Sequence, residues 1–173
     1  MTVIVAFALA RGSGKSHEAT PSGPPPPITV AAPPSHAAAE APCAQVLSAL
    51  PVKLGPLAPR AVHTEPDSPF VVAWGDPPVV LRCGVARPAA LTPGSSELVF
   101  LLGVYWLPVQ EKSSTVFTSV DRSVYVEVRV PKKMDYQPLP VLGRAIASKL
   151  KAICAVPEDD STYRPDQLCT HRR

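Results

Sequence analysis

The amino-acid sequence predicts an α+β fold: a small antiparallel sheet of about four to five strands with an N-terminal and a C-terminal helix packed on one face. Three observations carry this. Cys43, Leu47 and Leu50 recur at helical spacing near one end, and Leu142, Ile146, Leu150 and Ile153 make a longer stripe of the same period near the other. Short apolar runs bounded by glycine and proline lie between them. The run Ser123 to Val130 alternates, with Val124, Val126, Val128 and Val130 on one side and Tyr125, Glu127 and Arg129 on the other. A strand with one face on a core and one toward water has this pattern.

Taken in order, the first helix starts near Cys43 and is stopped by Pro51 and Gly55-Pro56. Residues 56–69 are rich in proline and polar side chains and read as a loop. Phe70 to Trp74 and Val79 to Cys83 are apolar runs joined by Gly75-Asp76-Pro77-Pro78, a candidate hairpin with at least one arm at an edge. Leu98 to Leu107 is the most hydrophobic stretch, read as a central strand bent or split at Gly103. Ser114 to Ser119 is a further short strand, and Val120-Asp121-Arg122 a tight connection. The second helix begins near Leu139, where Pro138 and Pro140 suit a first turn that needs no N–H. Lys149 and Lys151 near its end complement the helix dipole.

Composition supports one folded unit with attachments. A chain of 173 residues has room for one domain, and 46% hydrophobic residues suffice for a core. The 23 prolines are concentrated ahead of that core and at its turns. Residues 11–42, with Pro24 to Pro27, Pro33 and Pro34, read as a disordered Pro/Ala-rich linker in extended form. Residues 1–10 (MTVIVAFALA) carry no charge and read either as the remnant of a signal or anchor segment or as a short buried strand. The expected organisation is therefore a leader (1–10), a linker (11–42), a globular domain (43–155) and a tail (156–173). A net charge of +3, dispersed along the chain, gives no nucleic-acid footprint.

The block Trp74-Gly75-Asp76-Pro77-Pro78-Val79-Val80-Leu81-Arg82-Cys83-Gly84-Val85 resembles the central signature of the DUF3515 family, small uncharacterised proteins of actinobacteria. Cys43 to Pro51, Val104 to Pro108 and Tyr125 to Pro131 resemble its other blocks, so the resemblance covers residues 43–154. It implies a secreted or membrane-anchored envelope protein and assigns no activity or catalytic residue. A full membrane segment, usual at the family's N-terminus, is not matched by residues 1–10.

Cys43 and Cys83 both lie in these blocks. A bridge between them would staple helix to sheet and close a loop of about 40 residues, worth about 3–4 kcal/mol on the chain-entropy model. Cys154 and Cys169 would then tie the tail to the last helix. Four reduced thiols are the alternative. No cysteine or histidine pair has zinc-ligand spacing, and Cys169 and His171 stand apart at the terminus, so no metal is expected.

Gly12-Ser13-Gly14-Lys15-Ser16 has Leu9 where a phosphate-binding loop needs glycine, and prolines follow where it needs a helix, so no nucleotide is expected. His17, His36, His63 and His171 fall in linker, loop and tail. Trp74, Asp76, Arg82 and Trp106 form the candidate ligand groove, because arginine beside aromatic faces can hold a carboxylate or stack. The competing reading makes both tryptophans core and pairs Arg82 with Asp76 or with backbone carbonyls. The expected function is a non-catalytic binding or structural protein of the cell envelope, held outside the cytoplasmic membrane by the proline-rich linker, without cofactor, whose partner would be an envelope glycan, a peptide or a membrane protein. The alternative is a small secreted hydrolase with a pocket not recognisable from sequence.

Overall fold

The computed structural model describes residues 25–34, 36–92 and 97–153. The leader, the first part of the linker, Cys154, Cys169 and the tail lie outside the described residues. Nine strands and two helices follow in the order β1 (Ile28–Ala31), α1 (Ala37–Ala49), β2 (Pro59–Arg60), β3 (Val62–Glu65), β4 (Val71–Trp74), β5 (Val79–Val85), β6 (Val99–Leu101), β7 (Val104–Gln110), β8 (Ser114–Ser119), β9 (Tyr125–Pro131) and α2 (Leu139–Lys149). A single 3-10 turn, Lys132–Met134, joins β9 to α2. Among the described residues no helix is long and apolar enough to cross a membrane.

The main sheet has seven strands in the order β2-β4-β5-β9-β8-β7-β6, every pair antiparallel. The α+β class holds, and the sheet is larger than the expected four to five strands. Two local readings account for the difference. Leu98 to Leu107 is not one central strand: β6 and β7 form a hairpin, with β6 at the sheet edge. Its two-residue turn, Leu102-Gly103, has both φ angles positive, at 47° and 86°. That is the turn whose twist matches a hairpin, and glycine supplies its second position at no steric cost. The supposed loop 56–69 supplies β2 to this sheet, and β3 to a separate two-stranded sheet with β1.

The folded structure also begins earlier than Cys43. β1 lies inside the expected linker and pairs with β3 in parallel, Ile28 opposite Val62 and Val30 opposite Thr64. Ile28, Val30 and Val62 pack on Val71, Ala73 and Val80, which explains why this short segment orders despite its prolines. Helix α1 starts at Ala37, because the alanine run favours helix where the prolines end. Pro42 sits within it, and Ala38, whose carbonyl loses its bond there, is exposed.

Both helices share one core with the sheet. Cys43 and Val46 from α1, and Leu139, Leu142 and Ile146 from α2, meet Leu81, Trp106, Phe117, Val126 and Val128. The valine alternation in β9 is as expected: Val126, Val128 and Val130 are buried, while Tyr125, Glu127 and Arg129 face the other side half-buried. The α2 stripe ends at Leu150, since the helix stops at Lys149 and Ile153 is exposed.

The structure joins Cys43 to Cys83, with Cα atoms 5.6 Å apart. Both residues are fully buried, so the bridge lies inside the core between α1 and β5. Register shifts between Cys83 and Val85 mark a bulge at Gly84. Gly84 has φ +83°, and a Cβ there would come within 3.2 Å of the Ala39 Cβ. Glycine at this point lets helix and strand approach closely enough for the bridge.

Candidate functional site

The seven-stranded sheet has two unlike faces. The helix face is closed. On the other face, the β1–β3 ribbon covers one flank through Val71, Ala73 and Val80. The segment after β5 covers the other, where Leu91 and Leu98 pack on Leu107, Val120, Tyr105 and Tyr125. Between these covers the sheet presents Arg82, Glu127 and Arg129, placed side by side by the β5–β9 register, which sets Arg82 opposite Glu127 and Val80 opposite Arg129.

Two adjoining hollows of about 420 Å³ each occupy this zone and share Pro78 and Arg129 in their walls. The first is bounded by all four residues of β1 and floored by Val80, Arg82, Glu127 and Arg129. The second is lined by Arg129, Lys132 and Lys133, with Ser113, Ser114 and prolines completing the wall.

The floor is built from ion pairs. Arg82 donates Nε–H to Glu127 Oε1 at 3.0 Å and Nη2–H to Oε2 at 2.9 Å, a two-point contact in which both side chains are largely shielded. Its Nη1–H is given to the Ala31 carbonyl at 3.2 Å. Arg129 pairs with Glu111, which also accepts a hydrogen bond from the Ser114 hydroxyl. Both members of that pair are more than a third exposed.

A second arginine fixes the other end of β1. Arg60, from β2, donates Nε–H to the Pro26 carbonyl at 2.9 Å. Its Nη1–H reaches the Gly75 carbonyl and Asp76 Oδ1. Strand β1 is thus held at its entry by Arg60 and at its exit by Arg82. Ile28 donates its N–H to the Ala61 carbonyl. In a parallel pair one residue turns both backbone groups to its partner strand and the next turns both away. Ile28 and Val30 therefore serve β3, while Thr29 and Ala31 present theirs to the first hollow.

The four residues expected to form a groove do not come together. Trp74 and Trp106 lie in the helix-face core, 3% and 0% exposed. Trp74 Nε1–H is shared between the carbonyls of Pro51 and Val52, at 3.2 Å each. Trp106 Nε1 has no hydrogen-bond partner among the described residues. Arg82 is on the opposite face, in the floor of the first hollow, paired with Glu127 rather than Asp76. Asp76 pairs with Arg60 at 2.9 Å. The tryptophans are buried in the core, Trp74 also reaching the wall of a separate hollow beside Leu50 and Pro51, and among the four only Arg82 lines either hollow of the polar face. Arg60, Arg129 and Glu127 were not singled out in the sequence. Their partners lie far along the chain, and the only available signal was the polar side of the β9 alternation.

A second polar cluster is structural. Asp121 and Arg122, in the β8–β9 connection, have side chains 1% and 2% exposed and pair at 2.8 Å. Arg122 also donates to the Gly103 carbonyl, and the Tyr105 N–H is given to Asp121 Oδ1. The pair locks the β6–β7 hairpin to this connection.

A family model described as "Protein of unknown function (DUF3515)" matches residues 1–154. No curated protein and no solved structure matches the chain.

Proposed function

The chain belongs to the DUF3515 family, and from that premise we propose that it is a non-catalytic binding module of the cell envelope, working outside the cytoplasmic membrane. The observation that carries this reading is the Cys43–Cys83 bridge, sealed in the core between α1 and β5. Disulfides persist in oxidising compartments and are rare where glutathione and thioredoxin keep thiols reduced. Binding is supported by the open zone of the polar sheet face. The arginines of its floor are already paired with carboxylates and its wall is a strand held at both ends, a preorganised arrangement that loses little freedom when a ligand arrives. The proline-rich stretch ahead of β1 would serve as a spacer between head and membrane.

The test is a thiol trap on protein taken from its native host. The bridge is buried, so the sample is acid-quenched and unfolded before alkylation, with and without reductant. The reading predicts that Cys43 and Cys83 are modified only after reduction, and that the protein fractionates with membrane or medium. Free thiols at both positions in a cytosolic fraction would overturn it.

A further inference from the structure

We propose that the outward edge of β1 accepts an extended acidic peptide as an added strand, its acidic end seated among Arg129, Lys132 and Lys133. This inference rests on the binding-module reading and names the ligand class for the same site. Three observations carry it.

The first is the free edge. By the parallel pairing with β3, the Thr29 N–H and C=O and the Ala31 N–H turn away from that strand on the edge bordering the first hollow, without a partner among the described residues, and the Ala31 carbonyl is already taken by Arg82. A strand edge with unused donors and acceptors binds another extended chain through main-chain hydrogen bonds. The second is confinement. Prolines precede β1 at 25–27 and follow it at 33–34, so the edge offers only Ile28 to Ala31. A short bracketed edge suits one short peptide and resists open-ended association. Its two arginine anchors hold it in place before any ligand arrives.

The third is charge. Arg82 pairs with Glu127 and Arg129 with Glu111, so the first hollow has little net charge. The second hollow is lined by Arg129, Lys132 and Lys133 and by no carboxylate, and because Glu111 already balances Arg129, its excess positive charge is that of Lys132 and Lys133. Pro78 and Arg129 connect the two hollows, so a chain leaving β1 over Pro78 runs onto Lys132 and Lys133. Carboxylates are the complementary group there.

The experiment uses the full chain, isotope-labelled and oxidised. The probe is a short peptide of alternating valine and threonine ending in two glutamates. Controls are the same peptide with N-methylated backbone, the same peptide ending in two lysines, and pyrophosphate. The expected result is that the acidic peptide shifts the amide signals of Thr29, Ala31, Lys132 and Lys133, and that either peptide control binds at least tenfold more weakly. Thr29→Pro, which removes an N–H not used toward β3, should abolish the shifts at Ala31; the N-methylated peptide makes the same test on unaltered protein. If pyrophosphate binds as well as the peptide and only Lys132 and Lys133 respond, strand addition is overturned while the groove remains a binding site. Silence from every probe also overturns it, and the compartment is judged separately by the thiol trap.

Discussion

The two faces of one sheet are built on opposite terms. The helix side is dry, made of valine, leucine and aromatic side chains, and crossed by a disulfide. The other side is covered only at its flanks, and its centre is a row of arginine–carboxylate pairs. The alternation of strand side chains puts both on the same residues' backbone: Val126 and Val128 enter the core while Glu127 between them faces the hollow. Stability is concentrated on the first face, which leaves the second free to carry charge and an open strand edge at small cost to the fold.

Substitutions that break this contrast should rank by face. Trp106→Ala empties a fully buried site beneath α2 and should cost about 3–5 kcal/mol in chemical denaturation. A loss under about 1 kcal/mol would mean the helix face is not the stabilising one. Replacing Cys43 and Cys83 together by alanine should cost about 3–4 kcal/mol, because the unfolded chain regains the freedom of a 40-residue loop. An unchanged unfolding midpoint would remove the bridge from the stability argument. On the polar face, Arg82→Ala should cost only about 1–2 kcal/mol, for the loss of a partly shielded ion pair and one bond to β1. A loss as large as that at Trp106 would erase the distinction between faces. The smallest effect is expected at the hairpin tip. Leu102 has φ 47° and is exposed, and Leu102→Asn should gain less than about 1 kcal/mol by relieving that strain. A destabilised variant would show that Leu102 makes a contact worth more than its strain.

The helix face was the more legible of the two. Its signals are local: the valine alternation of β9, the Leu142–Ile146–Leu150 stripe, and two apolar runs around Gly75-Asp76-Pro77-Pro78 gave strand, helix and hairpin in their places. The polar face was not legible in the same way. Strand β1 is four residues among prolines, and its reason to order is contact with Val71, Ala73 and Val80, distant in sequence. From sequence, Arg82 reads either as a groove residue beside the tryptophans or as a partner of Asp76 or of backbone carbonyls, yet its carboxylate partner lies 45 residues away and is set by the β5–β9 register. In the run Leu98 to Leu107 the break at Gly103 is legible from sequence, but hydrophobicity alone does not tell a bent strand from a hairpin. The pair Leu102-Gly103 held that information in a turn that leucine rarely opens.

The most direct test of a stabilising face opposed to a binding face is one variant measured twice. Arg129→Gln, Lys132→Gln and Lys133→Gln, combined in the full oxidised chain, change three exposed or half-exposed cations of the second hollow. The account predicts an unfolding midpoint close to that of the parent, as expected for surface charges, together with at least a tenfold loss of affinity for the acidic strand peptide. A collapse in stability, or an affinity that does not change, would contradict it.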